Sequence, residues 1–153
     1  MTPEEKARQK IDQWFSDAGW KVVDRDEYEP TCTAVAIREG LLKGNLEADY
    51  FLFINGKAVG VLEAKREETD AFSDKVCNQA VLYARNVPKI YQTYQKPLPF
   101  IFTSNGKDLY FCDFRKQDSC FNQIMTIPTP YELVKLLGIN DYFAGLPTLR
   151  KKG

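Results

Sequence analysis

The stretch ADYFLFINGKAVGVLEAK, residues 48–65, decides the fold. Two apolar runs, 48–54 and 58–65, are joined through residues 55–57, Asn-Gly-Lys, which is the turn chemistry of a β-hairpin. Both runs are apolar at almost every position, so we expect both faces of each strand to be buried. Central strands of this kind need helices on either side, which predicts an α/β/α sandwich with a central mixed sheet.

Capping signals place helices around this hairpin. Capping boxes with proline at the first helical position begin helices at Thr2 and Thr129, and Gly19 and Gly138 end them. The predicted helices are 2–18, 73–86 and 129–137, and the further strands are 20–23, 33–38, 99–103 and 108–112. Connections are predicted over 24–30 and 41–46, and a second hairpin turn over 104–107.

The composition limits the class of protein. A length of 153 residues with 44% hydrophobic residues suits one domain, residues 1–153, with a single core. Basic and acidic residues balance at 21 each, so the net charge does not indicate a polyanion partner. The absence of histidine excludes Ser-His-Asp and Cys-His mechanisms and histidine-dependent metal sites. The four cysteines form no CxxC pair, which disfavours a zinc ribbon.

The sequence carries no signal peptide and no apolar run of membrane-spanning length, which predicts a cytoplasmic protein with no membrane partner. The pairs Gly56-Lys57 and Gly106-Lys107 lack the spacing of a phosphate-binding P-loop. We therefore expect that this chain does not bind ATP.

Three charged residues interrupt the apolar runs: Asp49 near the start of the first strand, and Glu63 and Lys65 near the end of the second. Burying charge in such a place is costly unless the charge is paired or bound to metal. Two carboxylates supply the hard oxygen ligands that Mg²⁺ prefers, and residues two apart on a strand share a face. The pattern predicts a Mg²⁺-dependent phosphodiesterase site. The alternative is a structural Glu63–Lys65 ion pair with Asp49 as a turn residue.

Whether Asp49 lies on the same face as Glu63 depends on the hairpin. A two-residue loop of Asn55 and Gly56 with regular pairing places the two carboxylates on opposite faces and removes the site. A three-residue loop that ends in a left-handed Gly56 with a bulge brings Asp49, Glu63 and Lys65 together. We therefore predict the three-residue loop.

Asp49, followed after thirteen residues by Glu63-Ala64-Lys65, resembles the catalytic signature of the PD-(D/E)xK nuclease superfamily, with Ala48 in place of the proline. The resemblance implies a restriction-endonuclease-like core. In such a core Asp49, Glu63 and the backbone carbonyl of Ala64 would bind Mg²⁺. Lys65 would orient the attacking water or offset the charge of the transition state.

A closer resemblance covers most of the chain in order. It rests on residues 7–12 (ARQKID), 18–20 (AGW), 48–50 (ADY), 61–65 (VLEAK), 79–84 (QxxxYA) and 103–106 (TSNG). These motifs resemble the N-terminal nuclease domain of Type I restriction enzyme motor subunits, and residues 149–150 look like the entry to their translocase region. The resemblance implies a Type I site-specific deoxyribonuclease: a fragment of a longer ATP-dependent translocase that cleaves double-stranded DNA and assembles with methyltransferase and specificity subunits.

The resemblance also suggests supporting residues. Gln79 and Tyr83 match the QxxxY element of this family and share one helix face, which implies contacts to the site or to the DNA backbone. Alternatively, Gln79 is an ordinary exposed residue and Tyr83 belongs to the core. Glu5 is a candidate for a further acidic metal ligand, although its place in a capping box also explains it.

Two other functions stay open. The chain could be a noncatalytic module of the same assembly that docks the motor to its partners. It could also be a free-standing nuclease of repair or junction-resolving type, but the neutral net charge counts against this and predicts weak DNA affinity for the chain alone.

Overall fold

The computed structural model describes residues 1–29, 33–38 and 49–139. Its helices are α1 (Pro3–Asp17), α2 (Asp74–Arg85) and α3 (Pro130–Leu137). Its strands are β1 (Lys21–Asp24), β2 (Ala34–Arg38), β3 (Tyr50–Ile54), β4 (Lys57–Ala64), β5 (Gln92–Thr93), β6 (Phe100–Ser104), β7 (Leu109–Asp113) and β8 (Asn122–Ile124). A short 3₁₀ turn, Arg25–Glu27, lies in the predicted connection 24–30, while the predicted connection 41–46 lies outside the described residues.

Within these ranges the strands form one mixed sheet in the order β1-β2-β3-β4-β6-β7-β8, with β5 beside β4. β1 and β2 pair in parallel, as do β4 and β6, and the hairpins pair antiparallel. α2 connects β4 to β6, because parallel neighbours require a crossover between them. β3 and β4 therefore lie in the middle of the sheet, as their continuous apolar sequence predicts.

Helices cover both faces of the sheet. Ile11 and Phe15 of α1 and Leu133 of α3 pack in one apolar cluster with the sheet residues Tyr50 and Leu62. On the opposite face α2 packs against the sheet in a second cluster. The predicted α/β/α sandwich with a mixed sheet is thus confirmed. None of the helices in the described ranges is both long and apolar enough to cross a membrane.

The helix ends follow their local sequence signals. The side chains of Thr2 and Thr129 accept hydrogen bonds from the backbone N–H groups of the glutamates three residues later, and both capping boxes are complete. Gly138 ends α3 with a left-handed backbone, φ 74°. These predicted helix boundaries are correct to within one or two residues.

The loop of the β3–β4 hairpin differs from the prediction. Ile54 pairs with Lys57, so the loop consists of Asn55 and Gly56 alone. Both loop residues have positive φ, 52° and 79°, as a type I′ turn requires. The predicted three-residue loop is therefore wrong, because the Asn-Gly pair forms the tighter turn that matches the twist of the strands.

A β-bulge inside the hairpin supplies the extra residue instead. Phe53 pairs with Ala58, but Leu52 pairs with Gly60, which leaves Val59 as the additional residue in β4. The alternation of side chains shifts at the same place: Ala58 and Val61 are three residues apart, yet both lie in the cluster on the α2 face. The bulge therefore reverses the face on which every later residue of β4 lies.

Gly60 permits this irregularity at the centre of the sheet. A Cβ atom at this position would lie 2.7 Å from the backbone oxygen of Phe100 in the neighbouring strand β6. Only glycine lets the two backbones approach so closely.

Candidate active site

The bulge brings the two predicted carboxylates to one side of the sheet. Tyr50 pairs with Leu62, and paired residues of antiparallel strands share a face. Asp49 directly precedes Tyr50, and Glu63 directly follows Leu62, so the same register carries Asp49 opposite Glu63. Asp49 Oδ2 also accepts a hydrogen bond of 2.7 Å from the backbone N–H of Ala64.

Glu63 is a buried carboxyl group, with 3% of its side chain exposed. Its Oε2 atom lies 3.1 Å from Nζ of Lys65, whose side chain is 29% exposed. Its Oε1 atom is buried and has no hydrogen-bond partner in the part of the chain that the structure describes. An unpaired buried polar atom costs about 1–3 kcal/mol, so this oxygen requires an explanation.

Burial and the neighbouring Asp49 carboxylate raise the pKa of Glu63 to about 8, against the opposing effect of the Lys65 ammonium. Near neutral pH the metal-free site therefore holds a proton on this carboxyl group for much of the time. A divalent cation would displace that proton, because metal ligands bind in their deprotonated form.

Arg8 lies at the site and is not among the site residues predicted from the sequence. Its guanidinium group forms an ion pair with Asp49 Oδ1 from the second turn of α1. Arg8 belongs to the 7–12 motif, but little in the local sequence indicates a role at the site. The one local indication is that Arg8 follows the buried Ala7 and therefore lies at the border of the apolar face of the helix. The contact joins residues 41 positions apart, which no local pattern indicates.

α2 contributes the predicted pair Gln79 and Tyr83. The Gln79 carboxamide donates a hydrogen bond of 3.1 Å to the Tyr83 hydroxyl group. The pKa of Tyr83 is raised above its ordinary value, mainly by burial and to a smaller extent by the negative charge of Glu63. The two side chains are thus hydrogen-bonded to each other, and Tyr83 lies within electrostatic range of Glu63. Tyr83 also packs in the α2 cluster, as the alternative reading expects.

Asn105 holds the loop that follows Lys65. Its carboxamide nitrogen donates to the backbone oxygens of Glu67 and Thr69, at 3.3 and 2.9 Å. Its carboxamide oxygen accepts from two backbone N–H groups of its own turn, at 3.0 and 2.7 Å. Asn105 is 4% exposed, so a single buried side chain satisfies four backbone groups and fixes the chain beside the site.

Glu5 takes part in the α1 capping box. Its carboxylate accepts a hydrogen bond of 2.8 Å from the Thr2 backbone N–H, and its own N–H donates to the Thr2 hydroxyl at 3.1 Å. These bonds lower the pKa of the exposed Glu5 carboxyl group. The capping box therefore explains why a glutamate stands at position 5. A role of Glu5 as a metal ligand stays a prediction.

The donor atoms at the site fit a hard cation. Asp49 and Glu63 offer carboxylate oxygens, and Glu63 Oε1 lacks a partner among the described residues. No group of three or more His, Cys, Asp or Glu side chains converges within the described ranges, so water or substrate oxygens would have to complete the coordination. Mg²⁺ commonly binds through one or two carboxylates and keeps several waters, which matches this set.

The mixed sheet between two helical layers defines an α/β protein, consistent with the restriction-endonuclease-like core that the sequence predicts. Residues 35–119 match the family model of the Type I restriction enzyme R protein N terminus, and the chain belongs to this family. A solved structure described as a fragment of an HsdR subunit of a type I restriction enzyme from Vibrio vulnificus YJ016 matches with a TM-score of 0.60 and 23% sequence identity. The match covers 92% of this chain and 27% of that chain. No curated protein matches the sequence.

Proposed function

We propose that this chain is the Mg²⁺-dependent endonuclease domain of a Type I restriction enzyme R protein and hydrolyses phosphodiester bonds of double-stranded DNA. The observation that carries the proposal is the buried Glu63, whose Oε1 atom has no described partner and which lies beside Asp49 and Lys65. A cluster of two carboxylates and an ammonium group around a fully buried member, Glu63, is unfavourable for folding and is typical of a functional site. Membership of the R protein N-terminus family supports the same function.

In this proposal Asp49, Glu63 and the backbone carbonyl of Ala64 bind Mg²⁺, which polarises the phosphate and lowers the pKa of a water molecule when bound. Glu63 must first release its proton, so its raised pKa makes the affinity for Mg²⁺ increase with pH up to about 8. The Lys65 ammonium orients the attacking water or offsets negative charge on the phosphate.

Gln79 and Tyr83 support the site from α2. Because the Tyr83 oxygen accepts the Gln79 amide proton, its own O–H remains available as a donor. We assign this donor to a DNA phosphate or to a ligand of the site. Either contact would hold the substrate backbone against α2.

The proposed partners follow from the family. The net charge of zero gives the chain little DNA affinity of its own. We therefore propose that a longer R protein in the cytoplasm delivers DNA to this site by ATP-dependent translocation, together with methyltransferase and specificity subunits. Nucleotide binding belongs to the translocase region.

Single substitutions in the full-length R protein, assembled with its partner subunits, test the function. Asp49→Asn and Lys65→Ala should abolish Mg²⁺-dependent DNA cleavage and leave ATP hydrolysis unchanged. Asp113→Asn is the matched control, because Asp113 is also a largely buried carboxylate in an ion pair but lies in β7, with Arg115 as its partner. Cleavage that persists in the two site variants would instead indicate a noncatalytic docking module. Efficient cleavage by the 153-residue chain without ATP would indicate a free-standing nuclease.

A further inference from the structure

The position of Arg8 is fixed by α1. The Tyr50 hydroxyl donates its proton to Asp12 Oδ1 at 2.6 Å, and the backbone oxygen of Arg8, one helical turn earlier, lies 3.3 Å from the same hydroxyl oxygen. At Gly106 a Cβ atom would lie 2.8 Å from the Cα atom of Ala7, so α1 packs directly against the β6–β7 turn. α1 therefore presents the Arg8 side chain at the start of β3, where Asp49 lies.

The two oxygens of Asp49 have different partners. Oδ2 is bound to the backbone of β4 through the Ala64 N–H, a contact that belongs to the hairpin itself. Oδ1 is paired with the Arg8 guanidinium group, and the Arg8 side chain is 34% exposed. A cation that binds to Asp49 together with Glu63 therefore shares this carboxylate with the Arg8 guanidinium group and competes with it directly when it binds through Oδ1.

A guanidinium group and a divalent cation on the same carboxylate repel each other, and the partly exposed Arg8 can turn toward solvent. A DNA phosphate at the site would be a suitable new partner, because the planar guanidinium binds phosphate oxygens with two parallel hydrogen bonds. We propose that Arg8 is a phosphate-binding residue that is held by Asp49 until a divalent cation and the DNA backbone replace that ion pair. This inference rests on the proposed nuclease function.

The proposal predicts that Arg8 affects cation binding differently without and with DNA. Without DNA, Arg8 weakens cation binding because it occupies Asp49 Oδ1. With DNA, Arg8 no longer weakens cation binding, because the phosphate accepts the guanidinium group and relieves the competition. A residue that merely stabilised the fold would produce neither effect.

Titration of the 153-residue chain with Mn²⁺, followed by electron paramagnetic resonance, measures both effects. Arg8→Met should bind Mn²⁺ about tenfold more tightly than the wild type without DNA, as expected for the loss of one nearby positive charge in a partly solvated pair. Short duplex DNA, at low ionic strength and at a concentration that saturates the weak DNA binding of the chain, should tighten Mn²⁺ binding about tenfold in the wild type and by less than about twofold in Arg8→Met. Arg8→Gln also removes the charge and should reproduce both results. It replaces Arg8→Met as the test variant if Arg8→Met folds poorly.

Lys6→Met is the matched control, because it removes one positive charge from the exposed side of the same helix and should leave Mn²⁺ affinity within about twofold of the wild type. Equal Mn²⁺ affinity in wild type, Arg8→Met and Arg8→Gln would overturn the proposal. An equal effect of DNA in wild type and variants would overturn the phosphate contact. If the wild type bound no Mn²⁺ at Asp49 and Glu63, the proposed nuclease function itself would fail.

Discussion

Replacing Glu63 with glutamine should make the metal-free protein more stable at alkaline pH. The folded Glu63 carboxyl has a pKa of about 8, against an ordinary value of 4.5. Because the folded state holds this proton more tightly than the unfolded state, the group favours folding fully below pH 4.5, and the contribution is lost as the pH rises through about 8. Each pH unit between the two pKa values corresponds to about 1.4 kcal/mol, so the loss of folding stability at alkaline pH reaches at most about 5 kcal/mol.

Glutamine is neutral throughout this range and has no such loss. It leaves Lys65 without its carboxylate partner, but that side chain is 29% exposed and keeps contact with water, so this costs about 1 kcal/mol. We therefore expect the free energy of unfolding of Glu63→Gln to exceed that of the wild type by about 2–4 kcal/mol at pH 9. At pH 5 the two proteins should differ by about 1 kcal/mol or less.

Urea unfolding between pH 5 and 9 in the presence of a chelator measures this difference. Asp113→Asn provides a control without this pH dependence: Arg115 lowers the pKa of Asp113, so this carboxylate stabilises the folded state throughout pH 5–9 and the contribution is lost only at more acidic pH. The stability difference between this variant and the wild type should therefore be constant from pH 5 to 9. Mg²⁺ at about 100 times its Kd should restore about 2.7 kcal/mol to the wild type at pH 9 and much less to Glu63→Gln. A stability difference between wild type and Glu63→Gln that is constant from pH 5 to 9 would refute the reasoning.

Two other changes test how the fold positions the site. Deleting Val59 removes the bulge but leaves a regular register, in which Leu52 still pairs with Gly60 and Asp49 still lies opposite Glu63; the increase in melting temperature on adding Mn²⁺ should therefore persist, and its loss in a folded deletion variant would contradict this. Asn105→Ala removes four hydrogen bonds in a buried turn and should lower the free energy of urea unfolding by about 2–4 kcal/mol, whereas a loss below about 1 kcal/mol would show that water replaces the side chain.

Helix ends and strand identity could be predicted because their signals are local. The capping boxes at Thr2 and Thr129 contain both partners within four residues, and the apolar runs of β3 and β4 specify their own burial. β5 and β8 contain two and three residues, which is too few to show an alternating pattern, so neither strand is predicted from the sequence.

The geometry of the site was harder to predict because it depends on contacts between distant residues. The Asn55-Gly56 pair indicates a two-residue turn, and the structure has one; the wrong step was to place the extra residue in the loop. The bulge instead depends on Gly60 packing against Phe100, forty positions later in the chain. The ion pair between Arg8 and Asp49 likewise appears only once α1 lies on the sheet.

The bulge at Val59 also gives the hairpin a rule for tolerated changes in length. A chain without Val59 keeps the two-residue loop and pairs regularly beyond it, so its carboxylates still share a face, whereas one additional residue between Ala58 and Glu63 reverses the face of Glu63 unless a second bulge forms. The Val59 deletion should therefore act as an intragenic suppressor of a one-residue insertion in this part of β4. In related sequences, a single missing residue at this place in the hairpin should be tolerated, while a single additional residue should occur together with a compensating deletion.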